Sequence, residues 1–114
     1  MHRIAAEKDL QPGDMKELLH QGKKILLLRT EEGFFALGSR CTHLGCRLAA
    51  GTLRGTILTC PCHFSRFDVR TGEVVEWIPK WPKILGKATK KIGLLRPLPT
   101  YSLEVREDFV YLKD

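Results

Sequence analysis

Two short segments hold all four cysteines of the chain and two of its four histidines, and this concentration constrains the fold more than any other feature. The patterns Cys-x-His and Cys-x-x-His supply two thiolates and two imidazoles, which are ligands for zinc and for iron. Sixteen residues separate the two patterns, which suits two loops presented side by side by neighbouring hairpins. We therefore expect one metal centre whose ligands are Cys41, His43, Cys60 and His63.

Most of the remaining sequence consists of short apolar or alternating runs separated by turns. Such runs predict strands in 24–29, 34–37, 56–59, 66–69, 73–76, 101–105 and 109–112. Turns at 31–33, 71–72 and 107–108 join six of these strands into three hairpins. The pattern indicates an all-β fold, a small antiparallel sandwich or barrel. A chain of 114 residues is the size of one domain, so we assign 1–114 to a single domain.

Two segments depart from the strand pattern. Asp14 and Glu17 resemble a capping box and Gly22 offers a stop, so residues 15–21 are predicted to form a short helix or turn. A second helix is predicted within 77–100, where apolar residues recur at helical spacing. These residues are Ile84, Ala88, Ile92 and Leu95.

The net charge of +6 comes from 19 basic and 13 acidic residues, and its distribution is uneven. The segment 77–100 contains six basic residues and no acidic one, so it holds the whole excess. A general affinity for nucleic acid is therefore not indicated. The segment is either a solvated insertion that seals the sandwich or a docking element for an acidic or membrane-associated redox partner. In the second interpretation the docking residues are Lys83, Lys87, Lys90 and Lys91.

The sequence has no 18-residue apolar run that could cross a bilayer, and its first residues lack the apolar core of a secretory signal. We expect a soluble, cytoplasmic protein without a transmembrane segment, and a monomer is favoured.

The spacing Cys-x-His, sixteen residues, Cys-x-x-His resembles that of the Rieske [2Fe–2S] family. Similarity extends to residues 33–37 before the first segment, to 51–53 between the segments, and to 67–68 and 71–72 after the second. In that family two cysteines hold one iron and two histidines hold the other. The resemblance implies one such cluster per chain, held by Cys41, His43, Cys60 and His63.

The resemblance also assigns roles to residues beside the ligands. Cys46 and Cys62 stand where respiratory Rieske proteins have a disulfide, although two buried thiols remain an alternative. Phe64 stands where the family usually has glycine, so the second segment is expected to differ locally. The residues expected to tune the cluster are Leu44, Ser65 and Phe67.

Ligand chemistry and hydrogen bonding set the expected redox behaviour. Two neutral imidazoles raise the potential of such centres to roughly −150 to +300 mV, against about −400 mV for all-cysteine plant-type clusters. Phe67 stands where high-potential relatives often have a tyrosine that donates a hydrogen bond to a ligand-cysteine sulfur, and phenylalanine cannot donate that bond. We therefore expect a reduction potential between those of the oxygenase and respiratory types. We also expect redox-linked loss of histidine protons, which a potential independent of pH up to strongly alkaline values would contradict.

Three functions are known for proteins with such a centre, and the sequence argues against one of them. The first is a soluble one-electron carrier, a Rieske-type ferredoxin that works between a reductase and an acceptor. The second is a small electron-relay subunit of a larger oxidoreductase. A catalytic oxygenase needs a further iron site with two histidines and a carboxylate, and only His2 and His20 remain, so we expect an electron carrier and not an enzyme.

A structural zinc site with the same four ligands is the rival for the metal, and colour would decide, since zinc proteins are colourless.

Overall fold

The computed structural model describes residues 1–41, 45–62, 64–76 and 97–113, which form three antiparallel sheets. The first sheet has the order β1–β11–β10 and consists of β1 (His2–Ala6), β10 (Leu103–Arg106) and β11 (Phe109–Leu112). The second has the order β2–β3–β4–β9 and consists of β2 (Met15–His20), β3 (Lys23–Thr30), β4 (Gly33–Gly38) and β9 (Thr100–Tyr101). The third has the order β5–β6–β7–β8 and consists of β5 (Thr52–Arg54), β6 (Ile57–Thr59), β7 (Arg66–Asp68) and β8 (Val74–Glu76).

Two 3₁₀ turns, Glu7–Asp9 and Leu48–Ala50, are the helical elements of the described part of the chain. None of the described residues belongs to a helix with the length and apolar character needed to cross a lipid bilayer. The observed architecture is the small antiparallel all-β fold that the strand pattern predicts.

The central strand β3 is buried on both of its faces, which explains its continuous apolar run. Leu26 and Leu28 belong to a core that also contains Cys60, whereas Leu27 packs with Val110 of the first sheet. The middle sheet therefore separates two cores. One of them reaches the cysteine-containing segments, so burial of β3 also fixes the position of the site.

The predicted helix over 15–21 is wrong, because these residues form β2 and the turn that follows it. The Asp14 carboxylate accepts a hydrogen bond from the Gln11 main-chain N–H at 2.9 Å, which closes a turn before the strand and does not cap a helix after it. Gln21 and Gly22 both have positive φ, 49° and 79°, as a two-residue hairpin turn requires. Gly22 thus reverses the chain instead of ending a helix.

The three predicted hairpins are confirmed as β3–β4, β7–β8 and β10–β11, and the predicted strand over 56–59 is β6. The predicted strand over 101–105 is divided at Ser102, because Tyr101 pairs with β4 while Leu103 pairs with β11. The helix predicted within 77–100 lies mainly outside the described residues.

Candidate metal centre

The first cysteine-containing segment, residues 41–46, is closed at its ends by main-chain contacts, and we call it the first loop. Arg40 and Arg47 form an antiparallel bridge at its base. The Cys41 N–H donates to the Cys46 carbonyl at 2.8 Å, and the Gly45 N–H donates to the Cys41 carbonyl at 2.8 Å. Gly45 has a φ of 73°, a left-handed conformation that glycine adopts without steric cost.

The second loop, residues 60–65, is built in the same way between β6 and β7. Thr59 pairs with Arg66 at its base. The Cys60 N–H donates to the Ser65 carbonyl at 2.8 Å, and the Phe64 N–H donates to the Cys60 carbonyl at 3.1 Å. The two loops therefore share one main-chain pattern, in which a cysteine stands first and the fifth residue has a positive φ.

The fifth position holds glycine in the first loop and phenylalanine in the second. Phe64 has a φ of 62°, close to the 73° of Gly45. A side chain in this region costs about 1–2 kcal/mol. Phe64 therefore adopts a conformation that glycine takes without strain, and the expected difference between this loop and the glycine-containing loop of the family stays a prediction.

Cys41 and Cys60, the first residues of the two loops, both belong to one buried core. They are only 3% and 2% exposed and belong to the same buried group as Leu26, Leu28 and Phe67. Neither cysteine is part of the disulfide. Two buried thiols at the starts of equivalent loops fit the sulfur side of a [2Fe–2S] centre, where thiolates are the ligands.

The disulfide implied by the family resemblance is present between Cys46 and Cys62. Their Cα atoms are 6.5 Å apart, so the bond ties the first loop to the second. The sulfur atoms of Cys46, Cys60 and Cys62 all lie within 4.8 Å of one another. Because a disulfide sulfur has no thiolate to offer, Cys60 is the member of this group that can bind a metal.

Gly51 allows the second loop to pack against the 3₁₀ turn Leu48–Ala50. A Cβ atom at Gly51 would lie 2.1 Å from the Thr59 carbonyl oxygen and 3.3 Å from Pro61 Cδ. Thr59 directly precedes Cys60, so this close approach fixes the start of the second loop.

Two of the predicted tuning residues lie in the core beneath the loops, since Ser65 and Phe67 are both fully buried. Three other predicted site residues, His43, Leu44 and His63, lie outside the described residues. The same holds for the predicted docking residues Lys83, Lys87, Lys90 and Lys91.

Beyond the second loop, Asp68 and Arg70 form a bidentate ion pair. Arg70 Nε donates to Asp68 Oδ1 at 3.1 Å and Nη2 donates to Oδ2 at 2.9 Å. These hydrogen bonds hold the pKa of the Asp68 carboxyl below its usual value, and the same contact raises the pKa of Arg70. The pair stabilises the turn that precedes β8.

Sequence reasoning missed a group of exposed arginines around the loops. The chain has no Asp or Glu between Glu32 and Asp68, and this absence of acidic residues was the available signal. Outside 77–100 the chain has equal numbers of basic and acidic residues, so the net charge of that part does not reveal this local excess of arginine. The arginines within this stretch, which we call the arginine rim, are Arg40, Arg47, Arg54 and Arg66.

Comparison with known proteins agrees with the geometry. The model of the Rieske [2Fe–2S] domain family matches residues 1–102. The ferredoxin component of the naphthalene 1,2-dioxygenase system of Pseudomonas putida is 36% identical over 70 residues, which are 61% of this chain and 67% of that protein. Apoptosis-inducing factor 3 of Mus musculus is also 36% identical over 70 residues, but these are only 12% of its length. The chain thus spans about two thirds of the ferredoxin and a small part of the longer protein.

Solved structures give the same result for the fold. A chain in the complex of reduced oxygenase and oxidised ferredoxin in carbazole 1,9a-dioxygenase has a TM-score of 0.78 and 28% identity, with 97% of this chain and 99% of that chain covered. The ferredoxin of carbazole 1,9a-dioxygenase from Nocardioides aromaticivorans IC177 has a TM-score of 0.77 and 22% identity, with coverage of 96% and 93%. The chain belongs to the Rieske [2Fe–2S] family, as an electron-transfer protein of the ferredoxin type whose cofactor is a [2Fe–2S] cluster.

Proposed function

We propose that this protein is a soluble one-electron carrier that works between a reductase and an acceptor. We further propose that Cys41 and Cys60 hold one iron and that His43 and His63 hold the other. The observation that carries this proposal is that the two loops have equivalent main-chain bonds and that their first residues, Cys41 and Cys60, belong to one buried core. The mixed ligand set would let the cluster take up and release one electron at moderate potential.

The described residues around the cysteines would protect and position this centre. Phe67 and Leu48 are fully buried in the same core as Cys41 and Cys60, so water is excluded from the cysteine side. The Cys46–Cys62 disulfide would keep the loops at a fixed separation. When the charge of a rigid site that excludes water changes, the surrounding protein and solvent rearrange little, and this favours rapid electron transfer.

Partners, location and chain organisation extend the same proposal. We propose a cytoplasmic monomer that forms one domain over 1–114. We assign the reductase and the acceptor to the class of proteins with acidic surfaces. The basic residues Lys83, Lys87, Lys90 and Lys91 support this assignment through their charge.

The direct test is electron paramagnetic resonance of the dithionite-reduced holoprotein, with iron and acid-labile sulfide determined on the same sample. We expect two irons and two sulfides per chain and the signal of a single reduced [2Fe–2S] cluster. Cys41→Ser should abolish the signal, whereas Cys46→Ser should retain it, because Cys46 is in the disulfide. A colourless protein with one zinc and no sulfide would refute the proposal.

A further inference from the structure

Phe64 combines a strained main-chain conformation with a partly exposed side chain. Phe64 has a φ of 62°, yet 38% of the residue is exposed. An internal comparison is available, because Gly45 has the same main-chain environment in the first loop. Strained residues that a neighbouring structure holds in place are concentrated at functional sites. A partly exposed aromatic ring in such a conformation within the second loop is therefore a candidate contact for a partner protein.

The charge of the surrounding surface points to a partner of opposite sign. The four members of the arginine rim are all exposed. The sequence stretch that contains them has no acidic residue, although Glu17 of β2 pairs with Arg47 at 3.5 Å and offsets part of its charge. Arg47 and Arg66 occupy equivalent positions directly after the two loops, and Arg40 donates to the Gly45 carbonyl at 3.3 Å. Arg54 and Arg66 line a common surface cleft of about 440 Å³.

We propose that Phe64 and the arginine rim form the surface on which an acidic redox-partner protein docks. This proposal rests on the proposed electron-carrier function and specifies its contact site. The arginines would attract a carboxylate-rich surface, and Phe64 would supply an apolar contact on the second loop, beside His63 in the sequence. One electron then passes from the reduced partner to the oxidised cluster, so the partner loses one electron and the cluster gains it.

The test uses a flavodoxin as the probe, because flavodoxins are acidic one-electron proteins with an exposed flavin edge. The fully reduced flavodoxin is mixed with the oxidised holoprotein, and the second-order rate of cluster reduction is followed by stopped-flow absorbance at several ionic strengths. For Arg40→Gln/Arg66→Gln we expect a rate about tenfold lower at low salt and a weaker dependence on salt. The matched control is Arg3→Gln/Arg106→Gln, which removes two exposed arginines from the first sheet and should stay within about twofold of wild type.

Two substitutions of Phe64 separate its side chain from its backbone. Phe64→Ala and Phe64→Gly both remove the ring, and both should slow reduction by flavodoxin about threefold or more. Phe64→Gly should have the higher melting temperature of the two, because only glycine relieves the strain at positive φ. Oxidation of the reduced protein by ferricyanide reports on access to the cluster itself, so a ferricyanide rate that changes as much as the flavodoxin rate would assign the effect to the cluster and overturn the docking role of Phe64.

The outcomes distinguish this proposal from the function on which it rests. If the holoprotein is not reduced by dithionite at all, the electron-carrier function fails. If all variants accept electrons from flavodoxin at the wild-type rate, the function stands and the docking surface is refuted. Binding of the wild type to phosphatidylglycerol vesicles, with unchanged flavodoxin rates in the variants, would assign the surface to a membrane and would also overturn the proposal.

Discussion

Replacement of Gly51 by alanine should displace the second loop and release the cluster. Gly51 has a φ of −85° and a ψ of −160°, which alanine can also adopt. Any effect of the substitution must therefore come from the methyl group that alanine adds. That group would lie 2.1 Å from the Thr59 oxygen, whereas ordinary contacts begin at 3.4 Å. The oxygen cannot easily move, because Thr59 is paired with Thr52 on one side and with Arg66 on the other.

The expected magnitude follows from these distances. Overpacking of this kind typically costs about 1–3 kcal/mol, and a clash with main chain belongs at the upper end. About 3 kcal/mol corresponds to a melting temperature lowered by roughly 10–20 °C in a chain of this size. A metal site tolerates displacements of only about 0.2 Å, which is much less than the clash demands at the residue before Cys60.

The assay is the content of iron and acid-labile sulfide per purified chain, together with the melting temperature of the holoprotein at a fixed scan rate. Gly55→Ala is the matched control, because Gly55 has a φ of 57° but a Cβ atom added there would meet nothing within 4 Å. It should lose about 1 kcal/mol through backbone strain and retain its cluster. A Gly51→Ala protein with a full cluster and the melting temperature of the control would refute the steric reasoning.

Three further predictions concern the surroundings of the two loops. Cys46→Ser/Cys62→Ser removes a cross-link between residues 16 apart and should cost about 3 kcal/mol; an unchanged melting temperature relative to the oxidised wild type would contradict this. Phe67→Tyr places a hydroxyl in the buried core of Cys41 and Cys60 and should raise the reduction potential, measured by redox titration; a potential equal to or below that of wild type would count against a bond to sulfur. The depressed pKa of Asp68 means that its ion pair stabilises the fold above about pH 4 and is lost as pH falls through the folded-state pKa. The difference in melting temperature between wild type and Asp68→Asn should therefore be constant at neutral pH and shrink as the pH falls through the folded-state pKa, and a difference that stays constant down to the acid unfolding of the wild type would contradict this linkage.

The hairpins and the cysteine pairing could be predicted because they depend on local signals. The turn at 31–33 and the alternation of 109–112 specify their hairpins within a few residues. The family resemblance supplied the pairing of Cys46 with Cys62, which spacing alone leaves open. The roles of His43 and His63, including redox-linked proton loss, stay predictions.

Other features depend on contacts that are distant in the sequence. Asp14 can accept a bond from the turn before it or from a helix after it, and pairing of β2 with β3 decides the outcome. The first strand, His2–Ala6, pairs with β11 at the other end of the chain and gave no signal of its own. The equivalence of Gly45 and Phe64 is likewise visible only once main-chain bonds of both loops are known.

The shared main-chain pattern of the two loops has a consequence for protein engineering. Each loop is a six-residue cassette whose ends are joined by two hydrogen bonds between its own main-chain atoms, so this closure uses no side chain. Donor atoms could therefore be exchanged between the cassettes, or replaced by those that another metal prefers, while the scaffold of strands is retained. The same small sheet could in this way support a series of artificial metalloproteins with graded potentials.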